Sequence, residues 1–457
     1  MPEESAMPNR IETDLLGEVI VPADALYGAQ TMRAVENFPL KNQRMIGSFP
    51  PLIRGLLLVK KAATLTNQAI GALPEDVARA IVQAADRLLQ ELPPGQFPIH
   101  CLHGGGGTSA NMNVNEVLAN LGEEILEGRR GEYRRIHPND HVNLNQSTND
   151  VYPTACHMAV IFQWSTLREA LKRLAQALRR VGETYQPQVR LARTCFQDAV
   201  DIRFGDYLGG MASQIDRLAV WLDEVVDRLH TVNLGGTICG RLEDVPGAYL
   251  ERIIANLASV TGDARYRRAD NLFDAAQNPD EMVAVSAGLD ILARSLIKIA
   301  NDFRLLSSGP EAGLGEISLP AVQPGSSIMP RKINPVIPEF LIQIAFRVIG
   351  NHAMCAVGLD HGELDLNVWE SSMLVSVLES MELLECGVEA FIEKCVLGMR
   401  PNPEVNSLHA HTLIPRLTRL SRRHGYQRVT RVCKQAQGDL SALKGLLDQV
   451  FGDSEEE

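Results

Sequence analysis

Residues 164–181 read WSTLREALKRLAQALRRV, with apolar members at Trp164, Leu167, Leu171, Leu174, Leu178 and Val181. The steps alternate three and four, which lines these side chains along one face of an α-helix. The stripe recurs at Leu208, Met211, Ile215, Leu218, Leu222, Val225 and Leu229, and again at Val285, Leu289, Leu292, Leu296, Ile299 and Phe303. A fourth runs through Leu374, Val377, Met381, Leu384, Val388 and Phe391. The stretch from Pro338 to near Gly362 is apolar nearly all round, which predicts a helix buried on several sides. Five helices of about 20–30 residues exceed the usual globular length, and stripes this strict need neighbours. They predict an all-α fold built on a bundle with near-antiparallel packing. Five separate coiled coils fit less well, because Gly/Pro loops rather than long polar linkers divide the stripes. Two starts are marked by a proline followed by an acid, in Asn278-Pro279-Asp280-Glu281 and Pro338-Glu339.

The flanks differ. Residues 1–150 mix shorter helices, expected near 52–70, 75–92 and 112–127, with Gly/Asn/Pro-rich loops and a short strand at Glu18–Val21. Residues 400–457 read as two or three short helices and an acidic tail, Asp453 to Glu457. The expected division is an N-terminal mainly helical domain (1–150), a central helical bundle (151–398) and a small C-terminal helical domain (399–457).

Of the 457 residues 45% are hydrophobic and 22% charged, enough apolar material for a large core. The formal charge of −12 argues against a nucleic-acid partner, which would select a basic balance or stripe. No apolar run is read as reaching the ~18 residues that cross a bilayer, so no membrane partner is expected. The polar, acidic start, Met1 to Arg10, does not resemble a signal peptide. The chain is therefore expected to be cytoplasmic. Its cysteines form no Cys-x-x-Cys pair, so neither a zinc ribbon nor a redox dithiol is signalled.

Four polar segments interrupt the apolar pattern. The first is His103-Gly104-Gly105-Gly106-Gly107-Thr108-Ser109, followed by Asn111, Asn113 and Asn115. Its glycines let the backbone approach a ligand and present N–H groups to an anion, and the next helix puts its positive end at Thr108. A flexible turn is the plain alternative. An esterase oxyanion loop would need a Gly-x-Ser-x-Gly elbow, and a nucleotide P-loop its lysine; neither is present. The second, His141-Val142-Asn143 and Gln146-Ser147-Thr148-Asn149-Asp150, also reads as a cap for a helix after Pro153. The third, Arg193-Thr194-Cys195-Phe196-Gln197-Asp198-Ala199, is expected to be a plain loop between long helices. The fourth runs from Gly325 to Pro335 and combines Gly-Ser-Ser, two prolines, Arg331 and Lys332, the make-up of a mobile active-site loop. No metal-ligand spacing and no dinucleotide fingerprint occurs, so neither metal nor cofactor is expected.

Gly325-Ser326-Ser327-Ile328-Met329-Pro330-Arg331-Lys332-Ile333-Asn334-Pro335 resembles the signature loop of the aspartase/fumarase superfamily, Gly-Ser-Ser-x-Met-Pro-x-Lys-x-Asn-Pro. The Gly107-Thr108-Ser109 segment resembles the superfamily's first conserved stretch, and Arg193 to Ala199 its second. The likeness runs from Glu12-Thr13-Asp14-Leu15-Leu16-Gly17 onward. Within the superfamily the chain looks closest to aspartate ammonia-lyases, on Asn113 to Asn120, Asn139 to Asn143, Leu305 to Pro310 and Leu366-Asn367-Val368-Trp369-Glu370. The resemblance implies three helical domains with a central five-helix bundle. It also implies a homotetramer with a twenty-helix core and active sites built from three chains.

The implied reaction is anti-elimination from a 2-substituted succinate, a small dicarboxylate, to give fumarate. Removing a proton beside a carboxylate yields an aci-carboxylate with two negative charges, whose stabilisation is the main catalytic demand. By resemblance, Thr108, Ser147, Thr148 and Ser327 cradle it, and Asn149 belongs to the same substrate-binding set. Thr194, Lys332 and Asn334 hold the other carboxylate. Ser326 matches the catalytic base, workable only as an alkoxide stabilised by loop N–H groups and a cation such as Lys332 in a closed, dry site.

Some positions depart from the family. Cys195 stands where aspartases usually have Gln or His beside the departing amine. Arg203 replaces a small polar residue, Gly240-Arg241 stands where the family commonly has a Gly-Thr-Gly turn, and Arg331 replaces a small residue beside Lys332. As surface substitutions, these arginines would pair with acids such as Asp201 and Glu243. As site residues, Cys195, Arg203 and Arg241 would line the leaving-group pocket, and the cations would repel an ammonium by energies of kcal/mol size. The leading expectation is then an anionic leaving group, as in nitrosuccinate lyases, which release nitrite and fumarate. Aspartate ammonia-lyase chemistry comes next. Fumarate hydration is third, since hydratases normally have His at the Cys195 position and Lys at that of Glu370. A catalytically silent structural or binding protein is the remaining class, and the intact Ser326, Lys332 and Asn334 argue against it.

Overall fold

The computed structural model describes residues 9–39 and 42–452. Most of the polar start and the acidic tail from Asp453 onward lie outside the described residues. From the N-terminus, β1 (Asn9–Asp14) and β2 (Gly17–Pro22) pair antiparallel, followed by α1 (Ala29–Asn37), α2 (Pro50–Ala69), α3 (Glu75–Gln90) and α4 (Thr108–Ile125). Next come α5 (Thr148–Thr184), the antiparallel pair β3 (Val189–Thr194) and β4 (Gln197–Arg203), α6 (Phe204–Asp227), α7 (Gly247–Thr261), α8 (Leu272–Gln277) and α9 (Asp280–Leu306). Then follow α10 (Val336–Asp360), α11 (Glu370–Phe391), α12 (Pro403–Ala410), α13 (Leu413–His424), α14 (Tyr426–Gln435) and α15 (Leu440–Phe451).

The chain divides into two compact units. One is drawn from Met1–Glu169, Ala219–Arg294 and Ile344–Glu385, the other from Ala170–Leu218, Ser295–Gln343 and Cys386–Glu457. The units interleave along the chain and each takes part of α5, α6, α9, α10 and α11, whereas the division expected from sequence follows consecutive segments.

In the first unit five helices close a ring. Trp164 of α5 donates to Asp223 of α6 at 2.9 Å, and α6 meets α9 at Gly288, where a Cβ would strike Leu222. Ser286 of α9 bonds His352 of α10 at 3.2 Å, Asn351 of α10 reaches Ser380 of α11 at 3.1 Å, and Glu385 of α11 accepts from Thr166 of α5 at 2.9 Å. This is the expected five-helix bundle. All four stripes are buried except Leu218, which is half-buried and yields its place to Ala219. Each such buried Leu contributes ~1.5–3 kcal/mol relative to exposure, so the stripes dominate the bundle's stability. In the second unit, α13, α14 and α15 close a separate small core around Leu420, Val429, Val432 and Leu447.

The expected strand at Glu18–Val21 is present within β2, paired in a hairpin in which Val19 and Val21 face inward and Ile20 outward. Two other expectations need correction. The segment 193–199 is no plain loop but the end of the β3–β4 hairpin. By length and composition alone, α10 is long and apolar enough to cross a membrane. It reads so because it is apolar on several sides: Leu341, Ile344 and Val348 are buried, while Phe346, Met354 and Val357 remain exposed.

Candidate active site

In the first unit the glycine run ends at Gly107, which has φ +86°. A Cβ there would run into the ring of buried Tyr152, so the position needs glycine on both counts. Gly107 caps α4, leaving Thr108 exposed at the positive end of the helix. One turn further, Asn111 Nδ2 donates to Thr148 Oγ1 at 3.0 Å and to Asn143 Oδ1 at 3.1 Å. The starts of α4 and α5 are thereby tied side by side. Two positive helix ends thus come together beside the hydroxyls of Thr108, Ser147 and Thr148, an arrangement whose chemistry suits an anion.

The second polar segment does cap a helix, but α5 starts at Thr148, ahead of Pro153. Ser147 Oγ accepts from Asn149 N at 3.2 Å, and Asp150 Oδ1 accepts from Ser147 N at 2.9 Å, a reciprocal cap. Pro153 has no N–H to offer Asn149 O, and Asn233 Nδ2 supplies the missing bond at 2.8 Å. The Asn149 side chain donates to Ile238 O at 2.8 Å, so this substrate-binding candidate also holds the loop that carries Arg241.

Sequence reasoning missed the support beneath these residues. Lys60, fully buried on α2, donates to Asn143 Oδ1 at 2.8 Å and Gln146 Oε1 at 3.0 Å. Asn115 Nδ2 reaches the same Asn143 oxygen at 3.1 Å. Burial pushes the Lys60 amine down to about 7 and the Asp150 carboxyl up to about 6. Asp150 keeps acceptor roles toward Gly235 N at 2.9 Å and Thr237 N at 3.2 Å. Nothing in Val59-Lys60-Lys61-Ala62 tells the buried lysine from the half-exposed one.

The Glu370 carboxyl, at the start of α11, is pushed up to about 8 by burial. Its neighbour Ser371 bonds Tyr152 Oη at 2.9 Å, and Val368 lies against Gly106. The Leu366–Glu370 motif thus packs on the glycine run, in the same unit.

In the second unit, β3 and β4 are joined by a two-residue turn, Cys195-Phe196, with φ +53° and +61°. Positive φ at both positions is a type I′ turn, which normally selects Asn-Gly. Thr194 and Cys195 are exposed at this tip. Arg203 pairs with Val189 at the opposite end of the hairpin. Six residues of strand separate it from the tip, about 20 Å at ~3.3 Å each, so within one chain Arg203 and Cys195 do not share a wall. Nor does Arg203 pair with Asp201, which is bonded to Arg419 at 3.1 Å. In the first unit, Arg241 has Glu243 and Asp244 at 3.9 and 3.7 Å, and its side chain is 56% exposed.

The hairpin is fixed from below by Glu316, a further residue that sequence reasoning missed. Its carboxylate, fully buried, meets Arg193 Nη1 at 2.6 Å, His409 Nδ1 at 2.9 Å and Arg190 Nε at 3.4 Å. Its place just before the two-residue strand Ile317–Ser318 gives no sequence signal of burial.

The loop 325–335 folds back on itself. Gly325 N donates to Lys332 O at 2.9 Å, and Asn334 Nδ2 donates to Gly325 O at 2.9 Å. A Cβ on Gly325 would fall 2.6 Å from both Lys332 O and Asn334 N, so only glycine closes this neck. Inside it, Ser326 Oγ accepts from Ile328 N at 3.2 Å and Met329 N at 3.0 Å. Two N–H donors aimed at one hydroxyl oxygen favour negative charge on that oxygen. Ser326, Arg331 and Lys332 line one cavity of about 520 Å³ beside the loop, and no acidic side chain lines it. Ser327 is exposed next to Ser326. The structure therefore groups Thr108, Ser147, Thr148 and Asn149 in one unit, and Ser326, Ser327, Lys332 and Asn334 on one loop of the other.

Comparison with known proteins agrees with this chemistry. A family model described as Lyase matches residues 17–350. An aspartate ammonia-lyase of Escherichia coli (strain K12) is 40% identical over 413 residues, 90% of this chain and 86% of that protein. A class II fumarate hydratase of Ralstonia nicotianae is 38% identical over 96% of this chain and 94% of that protein. A solved fumarate lyase:delta crystallin of Brucella melitensis, bound to cobalt, is 42% identical with a TM-score of 0.91, covering 96% of this chain and 98% of that one. Fold, polar segments and matches together define a lyase. The chain belongs to the aspartase/fumarase superfamily, among its carbon–nitrogen lyases.

Proposed function

We propose that this fumarate-forming lyase cleaves the C–N bond of a 2-substituted succinate that loses an anionic group, nitrite in the leading case. One observation carries the reading. Ser326 Oγ accepts two backbone N–H groups and shares its cavity with Arg331 and Lys332, two cations that favour an anionic over a cationic group beside the base. In the reaction, Ser326 as an alkoxide takes the C3 proton. The C3–H electron pair becomes the second bond of C2=C3, and the C2–N pair departs with nitrite. The carboxylate that gains aci character is met by Thr108, Ser147, Thr148 and Ser327, with Asn149 beside them. The other is held by Thr194, Lys332 and Asn334. Cys195 and Arg241 face the departing group, and Arg203, at the foot of the hairpin, has no part in it within one chain.

L-Aspartate, with ammonia leaving, is the second reading, favoured by relatives 38–40% identical that bear the name aspartate ammonia-lyase. Incubating the protein with fumarate plus nitrite, ammonia or water, and identifying the adduct, separates these. Nitrosuccinate is the expected product. Aspartate alone would restore the ammonia-lyase reading, malate alone would make the chain a hydratase, and no adduct at all would make it a silent homologue.

The site is proposed to be composite within a homotetramer. Phe346, Met354 and Val357 of α10 stay 60%, 46% and 53% exposed, an apolar face that a second copy would cover. Light scattering is expected to give four chains per particle, and an active monomer would overturn this.

A further inference from the structure

Arg331 occupies a backbone position that L side chains rarely adopt. Its φ is +67°, where Cβ crowds the carbonyl oxygen and glycine would be unstrained. A left-handed non-glycine residue beside a binding loop points to a use for its side chain. That side chain lines the 520 Å³ cavity it shares with Ser326 and Lys332. Among the described residues neither Arg331 nor Lys332 makes an ion pair, and the other cavity residues, Ala321 to Pro324, Met329, Pro330 and Ile333, carry no charge. Two adjacent cations with no counter-charge repel each other, and an anion in the cavity relieves that repulsion.

A succinate skeleton brings two carboxylates, and the proposed function uses Lys332, not Arg331, for one of them. Arg331 is the surplus charge. We infer that Arg331 is a specificity-determining residue that favours ligands with a third anionic group of planar, two-oxygen geometry over plain dicarboxylates. The inference rests on the proposed function for the assignment of Lys332. A guanidinium fork matches two oxygens in one plane, which a lysine ammonium at the same position does not. A carboxylate, a nitronate or departing nitrite has that shape.

The test is binding, so it does not depend on turnover. Calorimetry on the full chain compares succinate, with two negative charges, and propane-1,2,3-tricarboxylate, which is succinate bearing one further carboxylate arm. The tricarboxylate is expected to bind ten- to hundredfold more tightly at low salt, the size of one charge-assisted contact. Arg331→Gly, which suits the backbone at this position, is expected to remove most of that preference while weakening succinate by no more than a few-fold. Arg331→Lys is expected to retain the preference only in part. Equal weakening of both ligands by Arg331→Gly would reduce Arg331 to a general field, and a wild-type ratio near one would overturn the inference. So would a failure of both ligands to bind at millimolar concentration. If the fumarate assay yields only aspartate and the ratio persists, the leaving-group reading fails while the selectivity stands.

Discussion

Replacing Ser326 by alanine is expected to lower kcat by about a hundred- to ten-thousandfold, the range of a positioned general base, or roughly 3–5 kcal/mol of barrier. The fold should survive. Ser326 lies on a loop with an open cavity beside it, and its hydroxyl makes no core contact. The N–H groups of Ile328 and Met329 lose their acceptor, but water can replace it, at about 1 kcal/mol or less. The neck of the loop is untouched, because it depends on Gly325, Lys332 and Asn334. Fumarate should therefore still bind to the variant. A purely structural serine would give the opposite split, with KM raised and kcat largely kept. Steady-state kinetics and fumarate titration on the same preparation separate the two, and retention of a tenth or more of wild-type kcat would assign the base elsewhere.

The features legible in the sequence are those set by local periodicity. A three-four stripe needs no knowledge of the partner helix, and the buried faces of α5, α9 and α11 follow it residue by residue. What was illegible depends on contacts far along the chain. The nine-residue helix α1 begins where Gly28, Gln30 and Thr31 donate to Glu116, more than eighty residues away. No stripe marks it. The β3–β4 hairpin escaped because its turn, Cys195-Phe196, lacks the Asn-Gly that announces a type I′ turn, and because Arg190 and Arg193 break the alternation of a half-buried strand. The same hairpin also decides which residues can meet at the site. As a loop, 193–203 could bring Cys195 and Arg203 together; as two paired strands it holds them apart. The polar segments were legible by residue type alone. What they bond to was not: the α5 cap depends on Asp150, and Asn143 is held by a lysine that only the packing of α2 buries.

Glu316→Ala is expected to destabilise the second unit by about 3–5 kcal/mol, the usual consequence of removing one partner from a buried ion pair. The carboxylate is fully buried, and the side chains of Arg190 and Arg193 are only 8% and 16% exposed. Without Glu316 two guanidiniums keep their desolvation and lose their counter-charge, and His409 loses its acceptor. Arg190 retains only its stacking on Tyr207, 4.5 Å from the ring centroid. Glu316→Gln should be nearly as damaging, since a neutral amide does not offset two cations. The effect should reach function, because Arg193 precedes Thr194 and fixes the tip of the hairpin: KM for the dicarboxylate should rise in the fraction that remains folded. Urea unfolding of Glu316→Ala, set beside Arg241→Ala as an exposed-pair control worth about 0–1 kcal/mol, measures the difference. A second variant checks the cause. Replacing Glu316 by Leu together with Arg190 and Arg193 by Met removes every unpaired charge, and should recover most of the lost stability if buried charge rather than lost volume is responsible. An equal loss in that triple variant would mean that packing around Glu316, not its charge, holds the hairpin.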